Sequence, residues 1–345
     1  MPDTPYETLC KRAQACISKT PVVILGSGAS IAEGIPGMSQ LRDHLLQVQP
    51  PADWDERDRG YWTSFLDKLK STDLESALQE VNLPPHLDDH VVIETWNYLQ
   101  PYDLKAFNKS LERTTPGALT RLFQHLLRST NKSIDVVTPN YDRLAEYAAD
   151  FGELYHETGF RHGHIRAPLG DARQTVQINK VDQNCVNIWK VHGSFEWFKD
   201  SSKTVRALPI SHPRPEGWTP AIVTPGIQKY RRTYDEPFVS IKSASDKAFS
   251  SASAFFCVGF GFNDDHIQTK LKERCRAHRA PLVLITHSLT HTARDMLGGS
   301  HCEEYLAVEM ASGGCRIFSP EFPSGELVHE GEYWQLEHFL ELVTS

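Results

Sequence analysis

Four segments of the chain end an apolar run with side chains suited to ligand binding or proton transfer. In PVVILGSGASIAEGIP, the run Val22–Leu25 meets Gly26, Ser27, Gly28, Ala29 and Ser30, and then Gly34, Ile35 and Pro36. Small residues between a strand and a helix let backbone N–H groups approach a phosphate at the helix N-terminus. A tight strand-to-helix turn in any α/β protein would use the same residues, and the spacing is not G-x-G-x-x-G, because the third small position falls at Gly34. In VVTPNYDRLAE, Thr138, Asn140 and Asp142 stand where the next run ends. An amide and a carboxylate there can orient hydroxyl groups or water, and both residue types are also preferred helix N-caps.

WKVHGSFEW sets His192 and Gly193 at the end of a third run, with Trp189 and Trp197 flanking them. An imidazole near its intrinsic pKa of about 6.5 gives or takes a proton at cellular pH. AFFCVGFGFNDDHI carries a fourth run into Gly259 and Gly261, followed by Asn263, Asp264 and Asp265. Gly259 would admit a ligand that a side chain excludes, whereas helix capping accounts for Asn263 or Asp264.

Positioning such groups requires a sheet whose strands end at one edge. Val22–Leu25, Ile134–Thr138, Val186–Val191, Ala221–Thr224, Ala254–Val258 and Leu282–Thr286 read as buried parallel strands. Between them, LTRLFQHLLRS and YDRLAEYAADF repeat apolar residues at helical steps. This alternation predicts an α/β fold, a Rossmann-like doubly wound parallel sheet in one domain spanning 1–345. Residues 41–115 hold helix-like pieces without a strand and are expected to form a helical insertion. Residues 161–220, with Pro209, Pro213, Pro215 and Pro220, are expected to be loop-rich or a small subdomain. EYWQLEHFLELV reads as a closing helix.

Composition narrows the partners. Of 345 residues, 40% are hydrophobic and 23% charged, and a net charge of −8 argues against a surface that neutralises nucleic-acid phosphates. With no 18-residue apolar run and no apolar leader-like segment, the expectation is a cytoplasmic chain without a membrane span. The seven cysteines are scattered singly, without a C-x-x-C pair, so neither a disulfide framework nor a zinc ribbon is expected. No metal is expected, His156, His162 and His164 being the rival ligands. Cys257, inside AFFCVGF, reads as a small buried hydrophobe. Trp54, Tyr61, Trp62, Trp96, Tyr98 and Trp334 lie outside the expected sheet, where they either cover the domain's own core or supply contacts of a homo-oligomer.

Taken in chain order, these segments resemble the SIR2-like family over about Pro21 to Ser288. Its G-A-G-x-S…G-I-P element appears as Gly26-Ser27-Gly28-Ala29-Ser30 with Gly34-Ile35-Pro36, its T-x-N-x-D element as Thr138-Pro139-Asn140-Tyr141-Asp142, and its K-x-H-G-S element as Lys190-Val191-His192-Gly193-Ser194. The resemblance implies NAD⁺ as substrate, with the Gly26–Ser30 loop at the diphosphate, and with Thr138, Ile35, Pro36, Gly259 and Gly261 in the binding region. It implies that Asn140 orients the ribose and the attacking water, that His192 is the general base, and that Asp142 contacts the carboxamide or holds Asn140. Deacylase sirtuins carry a four-cysteine zinc ribbon and continue G-I-P with D-F-R, whereas this chain has neither feature. The H-G-S-F-E-W and G-F-N-D-D-H-I segments look instead like prokaryotic SIR2-like effectors of anti-phage defence, which hydrolyse NAD⁺ to nicotinamide and ADP-ribose. That resemblance implies an NAD⁺ glycohydrolase acting in abortive infection, latent and homo-oligomeric, with a HerA-type ATPase as one activating partner. The competing readings are an NAD⁺-dependent deacylase and a non-catalytic subunit that senses NAD⁺ or ADP-ribose.

Overall fold

The computed structural model describes residues 3–128, 130–170, 176–209, 213–224, 235–298 and 301–344, with backbone alone at Asp265 and His266. The chain opens with α1 (Pro5–Ile17), whose N-terminus is closed by a reciprocal pair: the Thr4 hydroxyl accepts from the Glu7 amide, and the Thr4 amide donates to the Glu7 carboxylate. β1 (Val22–Leu25) and the short α2 (Ser27–Ala32) follow. Then come α3 (Met38–Leu45), α4 (Glu56–Ser71), α5 (Leu74–Val81) and α6 (Pro85–Glu112), before α7 (Ala118–Leu126) and β2 (Ser133–Thr138) return to the sheet. The middle of the chain comprises α8 (Leu144–Phe151), β3 (Tyr155–Glu157), a hairpin of β4 (Gln177–Ile178) and β5 (Val181–Asp182), β6 (Cys185–Lys190), β7 (Gly193–Lys199), β8 (Val205–Ala207) and β9 (Thr219–Ile222). The last part holds α9 (Phe238–Ser251), β10 (Phe255–Val258), α10 (Asp265–His278), β11 (Leu282–Thr286), α11 (His291–Gly298), β12 (Tyr305–Ala311), β13 (Gly314–Phe318), β14 (Glu326–Val328) and α12 (Leu336–Thr344).

Among the described residues the main sheet has nine strands in the order β14-β13-β12-β11-β10-β1-β2-β6-β3. It is parallel from β12 to β3, and β13 and β14 add an antiparallel edge. The architecture is therefore the expected Rossmann-like α/β sheet. β1 and β10 are buried throughout because helices cover both faces, which is why they read as continuous apolar runs. Alternate residues feed two separate cores. Ile24, Cys257 and Leu284 face one, while Val23, Phe256 and Val283 face the other. There Phe256 stacks on Phe339 of α12, the closing helix, with ring centroids 5.1 Å apart. From β1 the chain turns one way to β2 and later the other way to β10, so the switch point lies between β1 and β10.

One expectation needs correction. The run Ala221–Thr224 does not enter the main sheet; β9 pairs antiparallel with β7 in a separate sheet ordered β8-β7-β9. Pro220, which cannot donate to a ladder, sits in that edge strand, and a short apolar run carries no information about strand direction. The described part of residues 161–220 holds β4 to β8 and the start of β9. Of the two roles left open for the aromatics outside the sheet, packing within the chain is visible. Trp62 is 1% exposed and Trp96 7%, and with Phe65, Leu69 and Leu87 they fill a third core among α3 to α6, closed from below by Phe195 and Phe198 of β7. Trp54, Tyr61 and Tyr98 pack against that cluster, and Trp334 against the sheet core. A helical layer with no sheet of its own must bury large side chains against each other.

Candidate functional site

The turn after β1 abuts the turn after β10. The Gly26 amide donates to Val258 O (2.9 Å), Gly28 N to Gly259 O (3.0 Å), and Ala29 N to Gly26 O (3.1 Å). A Cβ on Gly26 would stand 2.3 Å from the Gly259 carbonyl oxygen, and one on Gly259 would stand 2.5 Å from Ala29 N. Gly259 also has φ +60°, a conformation that side chains disfavour. These glycines let two backbones touch at the switch point. Three amides expected to face a ligand are thus engaged by carbonyls, and what Gly28, Ala29 and Gly259 offer a ligand is room.

The loop after β2 is held over this turn. Thr138 donates its hydroxyl to Leu25 O (2.8 Å) and accepts from the Asn140 amide (3.0 Å). Asn140 Nδ2 donates both to Gly26 O (2.8 Å) and to Ser30 Oγ (2.8 Å), and Ser30 in turn donates to Asp142 Oδ2 (2.6 Å). The chain of donors fixes the amide orientation. Asn140 Oδ1 is left as the atom that can accept from a hydroxyl or water, since both amide protons are used. Asp142 Oδ1 accepts from Leu144 N (3.2 Å), so Asp142 satisfies the first amide of α8 and anchors the network at once. Burial raises the pKa of Asp142 above the usual carboxylate range, against the opposing pull of Lys190 and the Ser30 hydroxyl. The Lys190 ammonium is buried beneath, donating to the Asp142 carbonyl and pairing with Glu146 (3.3 Å), whose own pKa burial also raises.

His192 lies beside this loop. Thr138 is in register with Lys190, so positions 140 and 192 leave adjacent strands at the same level. The two loops are tied together: Phe195 N donates to Tyr141 O (3.0 Å), Tyr141 Oη to Val223 O (2.7 Å) and Val223 N to His192 O (2.9 Å). The buried His192 ring bonds through Nε2 to Asp264 Oδ2 (2.5 Å), while Asp264 Oδ1 accepts from Ile267 N (3.2 Å). A neutral ring bonded in this way carries its proton on Nε2 and presents Nδ1 as the basic atom. Nδ1 has no hydrogen-bond partner among the described residues.

A cavity of about 1100 Å³ opens over the carboxyl ends of β1, β2, β10 and β11, of a size suited to a small-molecule ligand. Gly28, Ala29, Ser30, Thr138, Asn140, Asp142 and Gly259 line it, with Thr286 and His287 after β11, the segment 113–117, and Trp334. Gly26, Ser27, Ile35, Pro36, Gly261 and His192 lie off that wall. Ile35 bonds back to Ser30 O (3.1 Å), and Gly261 O accepts from the Thr290 hydroxyl (2.6 Å). Of the rival metal ligands, His156 pairs with Asp150 and His162 with Glu157, each at 3.1 Å. Among the described residues no group of three His, Cys, Asp or Glu side chains could hold a metal ion.

Sequence reasoning gave Asp264 only a capping role, because its partner His192 is 72 positions away. Lys190 carried one overlooked signal: a lysine ending an otherwise apolar strand must find a buried partner. The side chain of Asp265 lies outside the described residues.

Residues 135–301 match the model of a family described as a SIR2-like domain. The match takes in the Asn140, His192 and Asp264 segments and leaves out the Gly26–Ser30 turn. Among solved structures, the chain is similar to a Sir2 homologue in complex with NAD (13% identity, 88% of this chain and 89% of that one, TM-score 0.45). It is also similar to a Sir2 homologue mutant in complex with ADP-ribose (14%, 87% and 89%, TM-score 0.45). A structure described as bearing on the mechanism and regulation of Sir2 enzymes gives 14%, 82% and 87%, with a TM-score of 0.40. At these scores the architecture rests on the strand pairing above and not on the likeness. No curated protein matches the chain.

Proposed function

We infer that the chain binds NAD⁺ in the switch-point cavity and hydrolyses its nicotinamide–ribose bond, giving nicotinamide and ADP-ribose. The observation that carries this reading is the directed chain Asn140→Ser30→Asp142 on the cavity wall, in register with the His192–Asp264 pair. Cleavage passes through an oxocarbenium-like ribosyl centre: the glycosidic electron pair leaves with nicotinamide, and water adds to the ribose carbon. Asn140 Oδ1 orients a ribose hydroxyl or the water, with an amide that needs no rearrangement as charge develops. His192 Nδ1 takes the proton through a ribose hydroxyl or a bridging water, since the ring stands off the cavity wall, and Asp264 stabilises the imidazolium that forms. Asp142 holds Asn140 through Ser30, and the diphosphate lies against Gly28, Ala29 and Gly259, where no side chain intrudes.

Hydrolysis rather than deacylation is favoured because the seven cysteines are spaced singly along the sequence, without the C-x-x-C pairs of a zinc ribbon. Burial also pushes the Cys16 and Cys185 thiols up to about 12, which keeps them out of chemistry. In this reading the chain is a cytoplasmic, homo-oligomeric defence effector that depletes NAD⁺, kept latent until a partner such as a HerA-type ATPase engages it. Its support is the resemblance of the H-G-S-F-E-W and G-F-N-D-D-H-I segments, together with the harm that constant NAD⁺ hydrolysis does to the host cell. The test is nicotinamide release by the wild type and Asn140→Ala, with ADP-ribose binding to show that the variant keeps its site. Binding without release would make the chain a sensing subunit.

A further inference from the structure

The three loops that build the site hang from one element outside the sheet. Trp96 and Asp103 of α6, and Arg113 just past its end, each grip a different loop. Trp96 Nε1 donates to Phe195 O (2.8 Å), just after the His192 turn. Arg113 and Lys109 hold Glu33, at the end of α2, at 2.8 and 3.1 Å. Between them, Asp103 enters the site's own loop. Its Oδ1 accepts from the backbone amide of Arg143, the residue after Asp142, at 2.8 Å. Its Oδ2 accepts from Arg143 Nε (2.9 Å), from Arg143 Nη2 and from Tyr147 Oη (2.7 Å). The carboxylate is wholly buried, and Arg143 nearly so.

A buried carboxylate taking four donors is a rigid joint, because each lost bond leaves a charged or polar group without water. This joint is attached to the Asn140–Asp142 loop through the main chain, so α6 fixes the height of that loop over the Ser30 turn. We propose that Asp103 is a positioning residue for nicotinamide–ribose cleavage, through which the helical insertion holds the Asn140–Asp142 loop in its working geometry. Asp103 does not line the cavity and needs no contact with substrate. The proposal rests on the cleavage reading for its kinetic part alone.

The test compares Asp103→Asn and Arg143→Lys with the wild-type chain, by steady-state NAD⁺ cleavage and by amide hydrogen exchange. Asp103→Asn keeps the shape but weakens the fork, and Arg143→Lys keeps the cation and the backbone bond while losing the paired N–H groups. The expected result for Asp103→Asn is a kcat lower by about 10- to 100-fold with KM within threefold, since displacement of about 1 Å costs about that much. Arg143→Lys is expected to fall in between. Exchange should quicken across residues 140–147 while Val23, Val136 and Phe256 in the sheet keep wild-type protection, a pattern that general destabilisation would not produce. A folded Asp103→Asn chain with kcat within twofold of wild type and unchanged loop exchange overturns the proposal. If that variant does not fold, the same result in Arg143→Lys overturns it. A wild-type chain that releases no nicotinamide sinks the cleavage reading instead, and the exchange data then decide the positioning role.

Discussion

Ser30→Ala removes one oxygen from the middle of the donor chain and should be felt at both ends. Asp142 Oδ2 loses its 2.6 Å donor inside a site that already penalises its charge, and Asn140 keeps only Gly26 O. A hydrogen bond to a charged group contributes about 1.5–3 kcal/mol, so a stability loss of that order is expected at pH values where Asp142 is ionised. The loss should depend on pH with a definite sign. The folded-state pKa of Asp142 lies above its unfolded value, so its contribution to stability is fully present below the unfolded value and is lost as pH rises through the raised one. Ser30 favours the charged form, so the variant raises that pKa further and the gap to wild type widens with increasing pH. Urea unfolding followed upward from about pH 4.5, through the ionisation of Asp142, measures this. Turnover should fall by about 5- to 150-fold, corresponding to roughly 1–3 kcal/mol of lost positioning at the Asn140 amide. A stability gap below about 0.5 kcal/mol, or one that stays constant with pH, would refute the network as described.

Further outcomes follow from the same geometry. Gly259→Ala should cost about 2–4 kcal/mol by combining a positive φ with contacts of 2.5 Å to the backbone of Gly28 and Ala29, whereas a Cβ on Gly261 meets side chains alone, the Thr290 methyl at 3.2 Å and Asn263 Nδ2 at 3.5 Å; equilibrium unfolding of both compares them. Asp264→Asn should lower cleavage by about 10²- to 10⁴-fold with ADP-ribose binding retained, since it disturbs the tautomer of His192; wild-type turnover in that variant removes the dyad from the mechanism. Trp62→Ala should cost about 3–5 kcal/mol and leave the native mass unchanged by light scattering, because the ring fills an intramolecular core. Treatment with a chelator should alter neither melting temperature nor turnover, and elemental analysis finding one zinc per chain would contradict that.

The sheet was legible where the sequence carried its signal locally. VVIL and FFCV are buried on both faces and admit little except an interior parallel strand. YLAVEMA and GCRIF are buried at most positions but harder to read, because Glu309 and Arg316 interrupt their apolar runs. The run at Ala221–Thr224 was readable as a strand but not as an antiparallel one, since direction is set by β7, which the turn at Gly193 sends back. Asn140, Asp142 and His192 stood out because each ends such a run. What stayed hidden was pairwise. Asp264 looks like a cap and is one, yet its second oxygen holds His192; Asp103 lies on a helix whose neighbours give no hint that a guanidinium waits 40 positions away. The glycines misled in an instructive way, because the composition that suits a phosphate equally suits two turns in contact.

The most direct measurement is the product balance of the purified wild-type chain with NAD⁺, in the presence and absence of an acetylated peptide. Nicotinamide and ADP-ribose formed in equal amounts, at a rate indifferent to the peptide and lost in Asn140→Ala and His192→Ala, is the expected result. Cleavage that requires the peptide and leaves it deacetylated, or an Asn140→Ala chain that turns over as fast as wild type, would contradict the account.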